Sequence, residues 1–439
     1  MSGTKENSAS FVRDTMLSEQ DPPITERGVV KWARENLFSG PLNTFLTIIG
    51  AVAIYIILKG LAPWLLHSVW NANSAAECRE IIAAAYGEGA HGACWGVVRE
   101  RWAQFLYGFY PSEHYWRANL TFILLFVALA PILFANLPRK MLWFSVVYPA
   151  VALLLLWGGS VWVPVAALAG FALGWLAYRF ALPVTGSLVA TVAAVLVPII
   201  WWLFFAGWFA GLAHGILPLG IEQVPSSKFG GFLLSLTIGV TGIAFSLPLG
   251  VVLALGRQSD MFLVKTLSVG FIEFIRGVPL ITLLFTASLL LNYFLPPGTN
   301  FDIILRVIIM VTLFSAAYIA EVVRGGLAAL PRGQYEAADA LGLDYWKAQQ
   351  LIIMPQALKI SIPGIVSSFI GLFKDTVLVI FVGLLDPLKG ITDAIRGSFE
   401  WKGVYWEPFL FPALIFFLIC FGMSRYSMYL ENKLKRDHR

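Results

Sequence analysis

The amino-acid sequence predicts an all-α polytopic membrane protein with about ten transmembrane helices. Three observations carry that class. Hydrophobic residues fill 58% of the 439 positions and charged residues 13%, about half of the roughly 25% charged share of a soluble domain. The mean hydropathy is +0.75. Apolar runs of about 20 residues, long enough to cross a hydrocarbon layer, recur along the chain between polar turns. The net charge of +5 in such a chain orients spans through Lys and Arg at their ends and says nothing of nucleic acid. The 33 Phe and 16 Trp suit rings placed at a lipid interface and between spans.

Taken in order, residues 1–41 form a polar head with Lys5, Arg13, Arg27, Lys31 and Arg34 and no secretory pattern, expected on the cytoplasmic side. A first span, Asn43 to Leu66, runs outward into a polar insertion at 67–117, whose mildly acidic balance suits the outer side. Cys78 and Cys94 lie in that insertion. An oxidising compartment would let them pair; otherwise they are two free thiols. Cys420, in a later apolar run, reads as a small buried hydrophobe.

The second span, Ala118 to Leu137, returns to Pro138, Arg139 and Lys140. The third and fourth, Leu142 to Trp157 and Val161 to Ala177, make a hairpin through Gly158, Gly159 and Ser160, and the fifth runs from Leu182 to Leu212. From Trp143 to Leu212 the one formal charge is Arg179, at a predicted span end. Ionisable groups are expensive to keep in a bilayer without use, so these spans read as packing or docking elements. The linker Ala213 to Lys228 ends this region, and we set the domain boundary there: 42–227 is an additional five-helix region and 228–439 a second one.

Beyond the linker, Gly, Pro and intramembrane charges occur together. The sixth span, Phe229 to Leu255, runs inward to Arg257. The run from Met261 is interrupted by Glu273, Arg276, Gly277 and Pro279, which predicts a broken or interfacial start before a seventh span at Val278 to Leu295. The eighth, Phe301 to Leu330, carries Glu321 and Arg324. The ninth, Ile362 to Leu384, carries Lys374 and Asp375, and the tenth, Pro408 to Met428, leads to a basic tail. Glu273 with Arg276, and Glu321 with Arg324, are three residues apart, so each pair shares a helix face and can neutralise itself; they either anchor span ends or support a pathway. Lys374 and Asp375 are adjacent, point apart and need partners elsewhere.

Between the eighth and ninth spans lies a polar, helix-forming interval, 332–359. Pro331 ends the incoming span, Gln334 to Leu341 are good helix formers, and Gly342 suits a left-handed cap. Asp344 can cap a second short helix that Pro355 closes. Ala337, Ala338 and Ala340 leave room for another protein's surface, and Glu336 and Asp339 offer charge for docking. An amphipathic loop resting on the membrane fits the same composition.

The spacing of Glu336, Ala337, Ala338, Gly342, Ile352 and Pro355 resembles the EAA loop of bacterial ABC importer permeases, with Met354 where that pattern has Leu. E-F-I-R-G-V-P-L at 273–280, A-Y-I-A-E-V-V-R-G-G-L at 317–327 and F-K-D-T at 373–376 resemble three further blocks of the polar amino-acid (histidine/glutamine type) subfamily; Val278 and Val377 replace its usual Thr and Ser. The long amino-terminal half resembles the larger membrane subunit of general L-amino-acid importers. The resemblance implies a five-helix type I permease core in the second region and a loop, with Glu336, Ala337, Ala338, Asp339, Gly342, Ile352 and Pro355, that seats in a separate ATPase. Glu273, Arg276, Glu321, Arg324, Lys374, Asp375 and Thr376 would line or support a pathway.

It also implies the partners: an ABC ATP-binding subunit dimer that uses ATP and Mg, a second permease subunit, and a periplasmic amino-acid-binding protein. The chain itself would hold no cofactor. It would be a multi-pass protein of the bacterial inner membrane with both termini cytoplasmic. No G-x-x-x-x-G-K-[ST] phosphate loop occurs in the sequence, so ATP is expected on another chain. A stand-alone secondary transporter would bring internal repeats and ionisable residues in both halves, and neither is visible. An intramembrane hydrolase would bring H-E-x-x-H or G-x-S-x-G, and both are missing from the sequence.

Overall fold

A computed structural model describes residues 28–134, 136–290, 293 and 302–436. Lys5, Arg13, Arg27 and Arg439, and the junction predicted between spans seven and eight, fall outside the described residues. Among the described residues, nine helices are long and apolar enough to cross a membrane, and a bent pair brings the number to as many as ten.

The chain divides into two compact units, Met1–Val69 with Arg79–Ala93, and Trp70–Cys78 with Cys94–Arg439. The first holds α1 (Gly28–Asn36) and α2 (Pro41–Leu66). No residue of α2 is buried, as suits a helix that is apolar all round and has lipid as its solvent. Its exit is held by His67 stacked on Tyr86 at 3.8 Å and by Ala93 N–H donating to the Trp64 carbonyl at 2.8 Å.

The second unit opens with part of α3 (Ala75–Tyr86) and with α4 (Gly96–Tyr107). Cys78 and Cys94 form a disulfide. Cys94 N–H donates to Glu407 at 2.8 Å, and the Trp401 indole to Glu100 at 2.8 Å. α5 (Tyr115–Leu133) and α6 (Leu142–Trp157) form a hairpin, followed by α7 (Trp162–Ile200) and α8 (Ala206–Ile216). Gly158 has φ +69° and sits against the Glu222 carbonyl, where a Cβ would collide; no other residue type fits that turn. Next to it β1 (Gly159–Ser160) pairs antiparallel with β2 (Gly220–Ile221).

The fourth and fifth predicted spans join differently than expected. α7 runs through Arg179 and kinks at Gly186, φ 83°, so the spans are Trp162–Ser187 and Val189–Ile216. Arg179 is therefore inside a helix rather than at its end, with its guanidinium 5.4 Å from the Trp175 ring.

The remaining elements are α9 (Gly231–Gln258), α10 (Phe262–Gly277), α11 (Leu280–Phe285), α12 (Ile303–Ala328), α13 (Arg332–Ala340), α14 (Tyr345–Ala348), α15 (Met354–Asp375), α16 (Pro387–Gly397) and α17 (Trp406–Arg436). α10 and the helix after Pro279 meet at 103°, the broken start that Gly277 and Pro279 predict. α9 and α12 pack side by side. Gly250 lets Ile319 approach, and a Cβ there would meet that side chain at 2.6 Å.

One apolar cluster draws Tyr110, Leu156 and Val224 together with Phe229, Leu234, Ile304 and Leu372, so residues on both sides of Lys228 share a core. A second cluster, Ile272, Ile319, Val323, Ile353 and Ala357, closes the end of the bundle nearest α13.

Candidate functional site

The polar interval at 332–359 folds as its residues dictate at its start and departs at its end. Pro331 holds extended backbone and α13 begins directly after it. Gly342 N–H donates to the Asp339 carbonyl at 2.9 Å and Leu343 N–H to the Ala338 carbonyl at 3.2 Å, with Gly342 at φ +68°. That pair of bonds is the Schellman stop for a helix. Asp344 then caps α14 by accepting from Lys347 N–H at 3.0 Å. Those bonds, with the Lys347 ammonium at 3.1 Å, hold its carboxyl below the usual carboxylate range.

Pro355 closes nothing. α14 passes through a π-turn at Gln349–Ile353 into α15, making one long span, Tyr345–Val382. The wide turn falls where proline has no N–H to give, so the helix is relaxed there rather than ended. Of the residues expected to dock a partner, Glu336, Ala337, Asp339 and Ala340 are exposed, as are Pro355 and the Leu341, Tyr345 and Trp346 side chains beside them. Ala338 is buried and Ile352 packs on the second apolar cluster. These two shape the loop from within; Ala338 offers no surface to a partner. Burial pushes the Tyr335 hydroxyl up, and the Gln356 amide donates to Gln334 at 2.9 Å, tying α13 to α15.

At the same end of the bundle the intramembrane charges converge on Glu321. Its carboxylate lies 2.7 Å from Arg257, 3.0 Å from Arg324 and 3.8 Å from Arg276. Glu273 does not pair with Arg276 one turn on, as helix spacing predicts. It turns to Arg257 at 2.8 Å, and Arg276 lies over the Tyr318 ring at 5.5 Å. Packing of α9, α10 and α12 brings the fork of Arg257 within reach of two carboxylates, a better arrangement than two separate i, i+3 pairs. Arg257 was legible only as a charge at a span end. Arg306, buried in α12 and donating to the Ser288 carbonyl at 2.8 Å, was legible as an arginine inside an apolar run and is a second missed residue.

Lys374 and Asp375 stand apart from this cluster. Lys374 is exposed beside a cavity of about 230 Å³ lined by Leu388, Phe409 and Phe416, and neither residue makes an ion pair among the described residues. Thr376 is buried, its hydroxyl donating to the Phe373 carbonyl at 2.7 Å.

The family described as "Binding-protein-dependent transport system inner membrane component" matches residues 246–436, which include the loop and the whole Glu321 cluster. The chain is 65% identical over 430 residues, 98% of its length, to the glutamate/glutamine/aspartate/asparagine transport system permease protein BztC of Rhodobacter capsulatus, covering 99% of that protein. It is 40% identical to the inner membrane amino-acid ABC transporter permease protein YhdY of Escherichia coli K12, over 95% of this chain and 97% of the relative. The chain belongs to the amino-acid ABC transporter permeases. A solved amino acid ABC transporter with histidines is also similar, at 27% identity and a TM-score of 0.40 over 46% of this chain and 91% of that one. This permease is a multi-pass membrane protein and a transport subunit; it is not the ATPase, which is a separate chain.

Proposed function

We propose that this permease imports amino acids with acidic or amide side chains, forming half of the pathway beside a second permease subunit. Two ATP-binding subunits, which hold ATP and Mg, seat against its loop and that of its partner, and a periplasmic binding protein delivers substrate. The chain needs no cofactor of its own. The observation that carries this reading is α13: a helix that starts directly after Pro331 and is stopped at Gly342, with Glu336 and Asp339 exposed on it, joining α12 directly to the α14–α15 span. The substrate class follows the relative of 65% identity.

The loop end is cytoplasmic in this reading, with both termini, and the disulfide end is outside. Arg257, Arg324 and Arg332 near the loop and the Cys78–Cys94 bridge at the other end support that orientation. Residues 228–439 act as the transport core and 42–227 as its companion. Glu273, Arg276, Glu321, Arg324 and Thr376 support the pathway, while Lys374 and Asp375 face the second permease or the pathway, which would supply their partners. ATPase closure pushes α13, and a short helix wedged between two spans passes the push to α12 and α15 as rigid bodies.

Glu336→Lys tests the reading. The variant should insert and retain its thermal stability, because Glu336 is exposed, but lose most substrate-stimulated ATP hydrolysis and uptake in liposomes that contain the whole complex. Full coupled uptake by that variant would sink the role of the loop.

A further inference from the structure

We infer that the open cleft between the α5–α6 hairpin and the α9–α12 pair is a site for one phospholipid with an amine headgroup. The cleft has a volume of about 930 Å³, at the upper end of the roughly 300–1,000 Å³ of small-molecule sites. Its walls are apolar from Phe122 and Leu125 on one side to Leu236, Val240 and Ile308 on the other. All four helices are membrane-spanning, so the cleft opens into hydrocarbon.

Four of the polar side chains in the walls turn away from the cleft, while Thr241 and Thr312 also line it and the buried Thr312 hydroxyl has no hydrogen-bond partner among the described residues. Thr121, Ser145, Tyr148 and Thr237 each donate their hydroxyl to a backbone carbonyl, at 2.6 to 3.0 Å, and present carbon to the space. Polarity returns where α12 begins, at Ser160, Gln223 and Asp302. Asp302 is the one charged residue in the lining, and one of its oxygens caps α12 by accepting from Ile304 and Leu305. A long apolar slot with one acidic, polar mouth complements acyl chains joined to an ammonium-bearing headgroup. It disfavours an anionic headgroup, which would meet the carboxylate, and it disfavours an amino acid, which would strand its charges among the leucines.

In this arrangement the lipid fills the seam between the helices of the first region and those of the core. The α5–α6 hairpin thus has a task that its lack of charge concealed.

The test uses the complete transporter, extracted with its native lipid into polymer discs, exchanged stepwise into detergent, and followed by native mass spectrometry with lipid quantitation. The chain should keep about one phospholipid through an exchange that strips bulk lipid, and amine headgroups should be enriched over their membrane share. Leu236→Trp with Ile308→Trp, which fill the slot, should lower retention by about tenfold, equivalent to roughly 1.4 kcal/mol; Leu203→Trp, on the exposed face of another span, should not. Asp302→Asn should retain lipid and lose the headgroup enrichment. A diazirine-tagged phospholipid added to the unaltered transporter should label peptides of α5, α6, α9 and α12, which covers the case of filled variants that fail to fold.

Equal retention by filled and wild-type chains, labelling spread evenly over all spans, enrichment of anionic headgroups, or cross-links from this cleft to a helix of the second permease would each overturn the proposal.

Discussion

Glu321 sits 17% exposed among three guanidiniums, and its charge partners the half-buried Arg257 at 2.7 Å. Glu321→Gln keeps the shape and removes the charge. The loss should be about 2–3 kcal/mol of unfolding free energy, between the limits for surface and buried pairs, read as a fall in the melting temperature of the purified chain. Arg324 is 42% exposed, so Arg324→Ala should change stability by less than about 1 kcal/mol. Equal effects from both substitutions would show that the cluster is not organised around Glu321.

Asp386 is a second residue whose surroundings set its behaviour. Burial pushes its carboxyl up to about 6, against the pull of the Leu388 and Lys389 N–H groups that it caps. The fold therefore binds a proton that the unfolded chain has already released between about pH 4 and 6. The stability from the neutral form is complete below the ordinary carboxylate range and is lost as the pH rises through about 6. Asparagine caps as well as aspartate and carries no charge. The melting temperature of Asp386→Asn, measured against wild type, should thus rise steadily from pH 4 to pH 7. A difference that stays flat with pH would refute the shift.

At the scale of elements, α13 is defined by its ends. Pro331 and Gly342 could be read as start and stop because each acts through its own backbone, proline by its fixed φ and glycine by its freedom at φ +68°. Gly342→Val forces a branched side chain into the left-handed region at a cost of roughly 1–2 kcal/mol. That should fray α13, lowering substrate-stimulated ATP hydrolysis while leaving expression of the chain intact. Unchanged coupling in that variant would mean the helix stop is not needed.

The fate of Pro355 could not be read the same way. Whether proline ends a helix or sits in a relaxed turn depends on what holds the helix on either side. Here Ile353 and Ala357 are both buried in the second apolar cluster. The break between the fourth and fifth spans was set too early for a related reason: Arg179 reads as a span end, yet the helix continues past it and past Pro183 to Gly186.

Across the whole molecule, the first region is tied to the core by packing. Tyr110 stands edge-on to Phe229 at 5.4 Å, and Trp157 stacks on Phe229 at 4.5 Å. A chain that starts at Lys228 leaves Phe229, Leu233 and Leu234 without these neighbours. It should be recovered from membranes at lower yield and melt well below the full-length protein; co-expression of residues 28–227 as a separate chain should restore part of the loss. Equal stability of the truncated and full chains would make the shared cluster incidental.

Class, span number, the short helix after Pro331 and the positions of the intramembrane charges were all legible in the sequence, because each depends on something local: a run length that matches a bilayer, a proline or glycine at a helix end, an ionisable residue where few are tolerated. Pairing was not legible. Glu273 chooses Arg257 over Arg276, Ala338 turns inward while Glu336 and Asp339 face out, and α5 and α6 stand off from α9 and α12 to leave a cleft. Each of those outcomes depends on which side chains distant elements bring within a few ångströms, and only the packed bundle decides that.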